Sequence, residues 1–128
     1  MSTGVVNFLK QHRVAVVVIA GLVLFGLREY RCKLRGGAFV RQVESLKRDA
    51  AKELKIGAHK SDVARFFAEH KIPFAILESE AYGSLRTSGC APLGCGTNAA
   101  FIGVRVKLDE TGTVTEVPKV FGMYQDCL

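Results

Sequence analysis

Residues 100–117 read AFIGVRVKLDETGTVTEV and carry the clearest structural pattern in the chain. Apolar side chains alternate with other residues from Ala100 to Leu108, which predicts a β-strand with one buried face. Asp109-Glu110-Thr111-Gly112 is typical of a hairpin turn. A returning strand is predicted from Thr113 to Val117, ending before Pro118. The buried face of the first strand would carry Ile102, Val104, Val106 and Leu108, and the opposite face Phe101, Gly103, Arg105 and Lys107.

Upstream, the pattern changes to helical spacing. After a predicted hinge at Gly36-Gly37, apolar residues recur at steps of three and four, which indicates an amphipathic helix. Gly57 stands where a helix C-terminus favours positive φ, and a shorter helix begins near Ser61 and ends before Pro73. Short strands are predicted at Phe74–Leu77 and Tyr82–Ser88. The apolar stripe of the first helix is formed by Phe39, Val43, Leu46, Ala50 and Leu54.

The N-terminal region contains fourteen consecutive residues without charge or hydroxyl, VAVVVIAGLVLFGL, residues 14–27. At 1.5 Å per residue this run spans about 21 Å, less than the roughly 30 Å of a bilayer core. A membrane span lengthened by snorkelling flanks, the apolar part of a cleaved signal peptide, and a buried core helix are the three interpretations. Because Arg28-Glu29-Tyr30-Arg31 lacks the small residues of a cleavage site, an uncleaved anchor from about Val5 to Leu34 is preferred. The predicted anchor residues are Val14, Val18, Leu22, Leu24, Phe25 and Leu27.

These patterns predict an α+β protein with an N-terminal transmembrane helix, two further helices and a three- to four-stranded antiparallel meander. The expected division is a membrane anchor with basic flanks at residues 1–35 and a small α+β domain at residues 36–128. With 128 residues and 48% hydrophobic composition, the chain is too short for two full cores and too apolar for a disordered protein.

Charge and cysteine usage disagree about orientation. The net charge of +6 comes from the N-terminal part, and the cations after residue 27 outnumber those before residue 14, which favours a cytoplasmic C-terminal domain. Cysteines in a small domain instead favour export to an oxidising compartment. Since long domains translocate with limited regard to flanking charge, the prediction is a single-pass inner-membrane protein with a periplasmic domain.

The segment SGCAPLGCGTNAA, residues 88–100, holds two of the four cysteines. Cys90, Cys95 and Cys127 are candidates for a structural disulfide in which Cys127 pairs with Cys90 or Cys95, and the role of Cys32 is open. Unpaired buried thiols and a metal or redox site are the alternatives, although the spacing lacks a second matching pair for zinc and a C-x-x-C motif for redox chemistry.

Other patterns favour structural interpretations. Residues 94–99 match G-x-G-x-x-A, but an alternating strand follows where the dinucleotide fingerprint needs a helix. His59 and His70 are too far apart to share a ligand, and no catalytic triad or carboxylate pair stands out. The basic residues 28–35 suit a membrane edge better than nucleic acid. No catalytic residue, cofactor, metal, nucleic acid or small-molecule substrate is therefore expected, and Cys90 or Cys95 would be the only plausible nucleophile.

Residues 53–73, ELKIGAHKSDVARFFAEHKIP, followed by VRVKLDETGTV, resemble the small outer-membrane-assembly lipoprotein domain of the SmpA/OmlA type and the related β-lactamase-inhibitor-like fold. In that pattern a glycine precedes a helix that carries a valine and ends near a proline, and Gly57, Val63 and Pro73 match these three positions. Glu29-Tyr30-Arg31-Cys32 is not a lipobox, so acylation of Cys32 is not implied. The resemblance covers about seventy residues and implies a helix that ends near a proline, followed by a three-stranded sheet.

The expected function is that of a membrane-anchored, non-catalytic binding module of the bacterial envelope, an assembly accessory or scaffold with an unidentified protein partner. An inhibitor or immunity protein that binds and blocks an enzyme is the alternative, because the inhibitor-like fold permits that role too. Fold alone does not choose between them.

Overall fold

The computed structural model describes residues 3–127, with side chains from Lys10 onward. The described chain is α+β and contains two helices and one four-stranded antiparallel sheet. It divides into two compact units, one reaching Leu34 and one beginning at Arg35. The elements in chain order are α1 (Thr3–Glu53), α2 (Lys60–Glu69), β1 (Phe74–Ile76), β2 (Glu80–Ser88), β3 (Ala99–Lys107) and β4 (Lys119–Tyr124).

The predicted transmembrane anchor is wrong. Among the described residues, no helix carries an apolar stretch long enough to cross a membrane. The uncharged run within α1 is fourteen residues, or about 21 Å of helix, and Arg13 and Arg28 end it on either side. The predicted single-pass inner-membrane location depended on this span and is therefore also wrong. The residues predicted as the anchor lie exposed along α1, and they are Val14, Val18, Leu22, Leu24, Phe25 and Leu27.

The helix count also differs from the prediction. Gly36 and Gly37 lie within α1 and do not form a hinge, so the predicted stripe from Phe39 to Leu54 belongs largely to the same helix. A Cβ at position 36 would lie 3.1 Å from Cys90 Cβ. Gly36 therefore permits close packing against the Cys90 segment, and an interior glycine costs a helix only about 1 kcal/mol.

The second unit consists of helices on one face of the sheet. Strand order is β1-β2-β3-β4, and each strand pairs antiparallel with its sequence neighbour. The predicted alternation in β3 is confirmed, because Ile102, Val104 and Val106 are fully buried. These side chains join one core with Leu46 of α1, Leu54 directly after α1, and Val63, Phe66 and Phe67 of α2.

Aromatic packing joins α2 to the first two strands. The ring of Phe67 stacks on Phe74 of β1 at 5.1 Å and meets Phe66 edge-on at 5.8 Å between centroids. Gly83 of β2 lies under the same ring, and a Cβ there would be only 2.4 Å from Phe67 Cε1. The helix therefore reaches the sheet only because position 83 has no side chain.

The return from β3 is longer than predicted. Thr113 and Val114 form only isolated bridges, to His59 and Leu108, and the fourth strand begins after Pro118. The predicted strand Thr113–Val117 is therefore wrong, and the strand that pairs with β3 is Lys119–Tyr124. The turn itself is as expected, with Gly112 N donating to Asp109 O at 3.0 Å and φ of +76° at Gly112.

Candidate functional site

The sheet has one face that the helices do not cover. Directly opposed residues in antiparallel strands share a face, so the register places Arg86, Phe101 and Met123 in one row. The next row on this face contains Ser84, Gly103 and Phe121, and the row beyond it contains Tyr82, Arg105 and Lys119. These positions alternate with the buried residues of the same strands, and they therefore face away from the core. We call this surface the outer face, and define it by Tyr82, Arg86, Phe101, Arg105, Phe121 and Met123.

The centre of the outer face is apolar. Phe121 lies against Gly103, where a Cβ would be 2.5 Å from Phe121 Cζ. The glycine therefore lets the ring lie close against the sheet, which leaves Phe121 half-buried. Met123 is 50% exposed and Tyr82 38% exposed. Aromatic residues and methionine placed together on an open face are the composition enriched in protein interfaces.

The rim of the outer face is predominantly basic. Lys107 Nζ lies 2.9 Å from Glu116 Oε1, and Arg105 Nε lies 3.8 Å from Glu80 Oε2. The hydrogen bond and charge of Lys107 lower the pKa of the Glu116 carboxyl from its ordinary value. Within the described part of the chain, Arg86 and Lys119 form no ion pair. The charge of Arg86 is available to a carboxylate of a partner, whereas the charge of Lys119 also contributes to the lowered pKa of the Glu116 carboxyl.

A tight loop projects from one end of the sheet, between β2 and β3. We call residues 90–95 the cysteine loop. Both of its end residues, Cys90 and Cys95, are disulfide-bonded, and the partner of Cys95 is Cys127. The predicted disulfide bonding is therefore confirmed, and none of the described cysteines is free.

Backbone hydrogen bonds hold the cysteine loop in one shape. Cys95 N donates to Pro92 O at 3.2 Å, and Gly94 has φ of +106°, so residues 92–95 form a turn that favours glycine at its third position. Asn98 Oδ1 accepts from Ala91 N at 3.1 Å. At the tip of this turn the side chain of Leu93 is exposed to 106% of its reference area. An apolar side chain is thus presented on a convex, preorganised support.

Sequence reasoning singled out the cysteines but missed Leu93 and the β4 part of the outer face. It placed Phe101 and Arg105 opposite the buried face of β3, as the structure does. Phe121 and Met123 lie beyond Pro118, where the sequence analysis predicts no further strand. Alternation in VFGMY, residues 120–124, was the available indication.

The remaining predicted positions do not assemble into another site. His59 and His70 lie at opposite ends of α2, and residues 94–99 connect two strands. No group of three metal-ligating side chains occurs among the described residues. A shallow cavity of about 1050 Å³ lies between the 76–79 and 108–112 segments, but the Asp109 carboxylate in its wall is engaged by its own turn.

Comparison with family models, curated proteins and solved structures finds no match for this chain. The resemblance to the SmpA/OmlA type therefore stays a prediction.

Proposed function

We propose that the unit beginning at Arg35 is a non-catalytic protein-binding module that uses the outer face to bind an acidic surface of another protein. The observation that carries this proposal is the apolar strip of Phe101, Phe121 and Met123 beside two cations without ion-pair partners, Arg86 and Lys119. The SmpA/OmlA resemblance supports a role as an assembly accessory or scaffold in the bacterial envelope. Disulfide bonding is typical of such an oxidising compartment.

The chemistry of the face defines its partner. Burying Phe121 and Met123 further provides the apolar contribution to binding, at about 25 cal/mol per Å² removed from water. Arg86 and Lys119 would each be desolvated in the complex, which is favourable only when a carboxylate meets them. A partner with acidic residues around an apolar centre satisfies both requirements. A basic partner would be repelled.

Charge reversal at Arg86 tests this proposal. We expect the full chain carrying Arg86→Glu to lose at least tenfold in affinity for proteins captured by the wild-type chain from an envelope extract, since an attraction becomes a repulsion. Arg48→Glu, a reversal on the exposed surface of α1, is the matched control. Each bound protein is quantified by mass spectrometry at low and high salt.

If Arg86→Glu and Arg48→Glu lose the same proteins, or if neither variant loses any, binding by the outer face is contradicted. A photo-crosslinking residue at position 82 provides a second measurement, because adducts should form there and not at position 48. An intact circular dichroism spectrum for each variant separates loss of binding from loss of fold.

A second candidate function is inhibition of an enzyme, and the cysteine loop is the observation that favours it. Preorganisation lowers the entropy cost of binding, and Leu93 would fit an apolar pocket on the enzyme. The 92–95 turn is closed by its own hydrogen bond and is not extended. It would therefore block a pocket by inserting the Leu93 side chain, and would not bind as an extended, substrate-like segment. In a panel of hydrolases, Leu93→Asp should abolish any inhibition and Leu93→Met should preserve it, whereas equal inhibition by both variants would rule out this role.

A further inference from the structure

The outward edge of β4 presents unpaired backbone groups. Gln125 N donates to Ala99 O at 2.9 Å, and antiparallel strands alternate between residues that bond the neighbour and residues that face away. Lys119, Phe121 and Met123 therefore bond β3. The N–H and C=O groups of Val120, Gly122 and Tyr124 point to the opposite side, where no described residue forms a hydrogen bond with them.

From Val120 onward, after Pro118 and Lys119, this edge lacks the usual protection against pairing. Edge strands are commonly blocked by charged residues, prolines, bulges or a covering segment. Between Val120 and Tyr124 the sequence VFGMY contains no charge or proline, and its pairing with β3 is continuous, without a bulge. On the core side of the sheet, the side chains of Phe39 and Val43 in α1 lie against Gly122. The stretch of β4 from Val120 to Tyr124 is therefore apolar.

We propose that β4 pairs antiparallel with β4 of a second copy of this chain, with Gly122 opposite the partner's Gly122. The two sheets then form one eight-stranded sheet across a two-fold axis, as an isologous interface requires. In this register all three outward-facing residues of each copy form backbone hydrogen bonds with the partner. Val120 pairs with the partner's Tyr124, and Gly122 pairs with the partner's Gly122. No other register pairs all three.

The side chains in this register are complementary. Phe121 lies opposite the partner's Met123 on the outer face, so the half-buried ring and the exposed thioether cover each other. Lys119 lies opposite the partner's Gln125, and no like charges meet. Shifting the centre to Phe121 would place Pro118 opposite the partner's Tyr124, where the proline has no N–H to donate. Side chains and hydrogen bonds thus select the same register, and this is why a second copy is the occupant that fits the edge.

The Lys119–Gln125 pair allows a test in which the sign of the effect is predicted. In the full chain, Gln125→Lys would place like charges opposite each other twice in the dimer, and we expect the dimer Kd to rise about tenfold. Gln125→Glu, the matched variant at the same position, would create two opposite-charge pairs and lower the Kd several-fold. The double variant Lys119→Glu with Gln125→Lys restores opposite charges and should return the Kd to near the wild-type value. Sedimentation equilibrium over a range of concentrations measures each Kd, and both shifts should shrink in high salt.

A wild-type chain that stays monomeric at all concentrations would overturn the proposal. So would a dimer whose Kd changes in the same direction, or not at all, for Gln125→Lys and Gln125→Glu, because association would then use another surface. Arg86 lies outside the β4 pair, so Arg86→Glu should leave the dimer Kd within about twofold of wild type. Failure of the dimer and failure of acidic-partner binding are therefore separate results.

Discussion

Asp109 holds the turn after β3 through one carboxylate oxygen. Its Oδ1 accepts from Thr111 Oγ1 at 2.7 Å and from the backbone N–H groups of Thr111 and Thr113, both at 2.9 Å. The side-chain hydrogen bond from Thr111, followed by the backbone bond from Thr113, lowers the pKa of Asp109 below its ordinary value of 3.8. These contacts are local in sequence, which explains why the residues DETG were enough to predict the turn.

The lowered pKa of Asp109 predicts how the free energy of unfolding depends on pH. Because the folded-state pKa lies below the unfolded value, ionised Asp109 stabilises the fold fully above the unfolded pKa, and this contribution is lost as pH falls through the folded pKa. Asp109→Asn should therefore be less stable than wild type at pH 7, and the difference should narrow as the pH falls below 3.8. Urea unfolding at several pH values measures the difference in free energy of unfolding between the variant and wild type.

The control is Glu110→Gln, in the same turn but outside this hydrogen-bond set, and its difference from wild type should not shrink in the same way. If the difference between Asp109→Asn and wild type does not change with pH, the stabilising role assigned to Asp109 is contradicted.

At the scale of elements, the contact between α2 and β2 depends on the missing side chain at position 83. A Cβ there would lie 2.4 Å from Phe67 Cε1 and 2.8 Å from Ile72 Cγ2. Both neighbours are buried and cannot move into solvent, so Gly83→Ala should destabilise the protein by about 1–3 kcal/mol through overpacking. Guanidinium unfolding measures the change. Gly26→Ala, which meets no atom within 4 Å, is the matched control and should not be destabilised, whereas equal stability of Gly83→Ala and wild type would show that the core accommodates the methyl group.

The sequence predicted those elements whose pattern is regular within a single segment. β3 alternates without interruption, so both of its ends were placed within one residue. The start of α2 was also placed within one residue, although the helix ends at Glu69, before the proline predicted to stop it. β4 was missed because its position depends on pairing with β3 after a connection through Pro118. The Gly36-Gly37 pair predicts a hinge from local sequence alone, because Cys90, the residue against which Gly36 packs, is more than fifty residues away in sequence. The β3 part of the outer face, Phe101 and Arg105, was therefore predictable, and the part contributed by β4 required the register.

At the scale of the whole molecule, a disulfide joins the end of β4 to the loop before β3. Cys95 and Cys127 are separated by 32 residues, and closing a loop of that length stabilises a fold by about 3–4 kcal/mol in the chain-entropy model. For a small domain this is a large share of the usual net stability of about 5–15 kcal/mol. Reduction of this disulfide should therefore lower the free energy of unfolding by a large fraction.

The paired substitution Cys95→Ser with Cys127→Ser should therefore lower the free energy of unfolding by about 3–4 kcal/mol. It should also remove the fixed position of Leu93, since the cysteine loop loses its link to the C-terminal segment. Guanidinium unfolding of the oxidised proteins measures the first effect, and hydrogen exchange of the residue 90–98 amides measures the second. Thiol labelling of the denatured, unreduced wild-type chain is the control and should find no free cysteine. If the variant instead unfolds at the wild-type denaturant concentration, with unchanged exchange in the loop, the cross-link does not determine stability and the sheet and helices hold the loop by themselves.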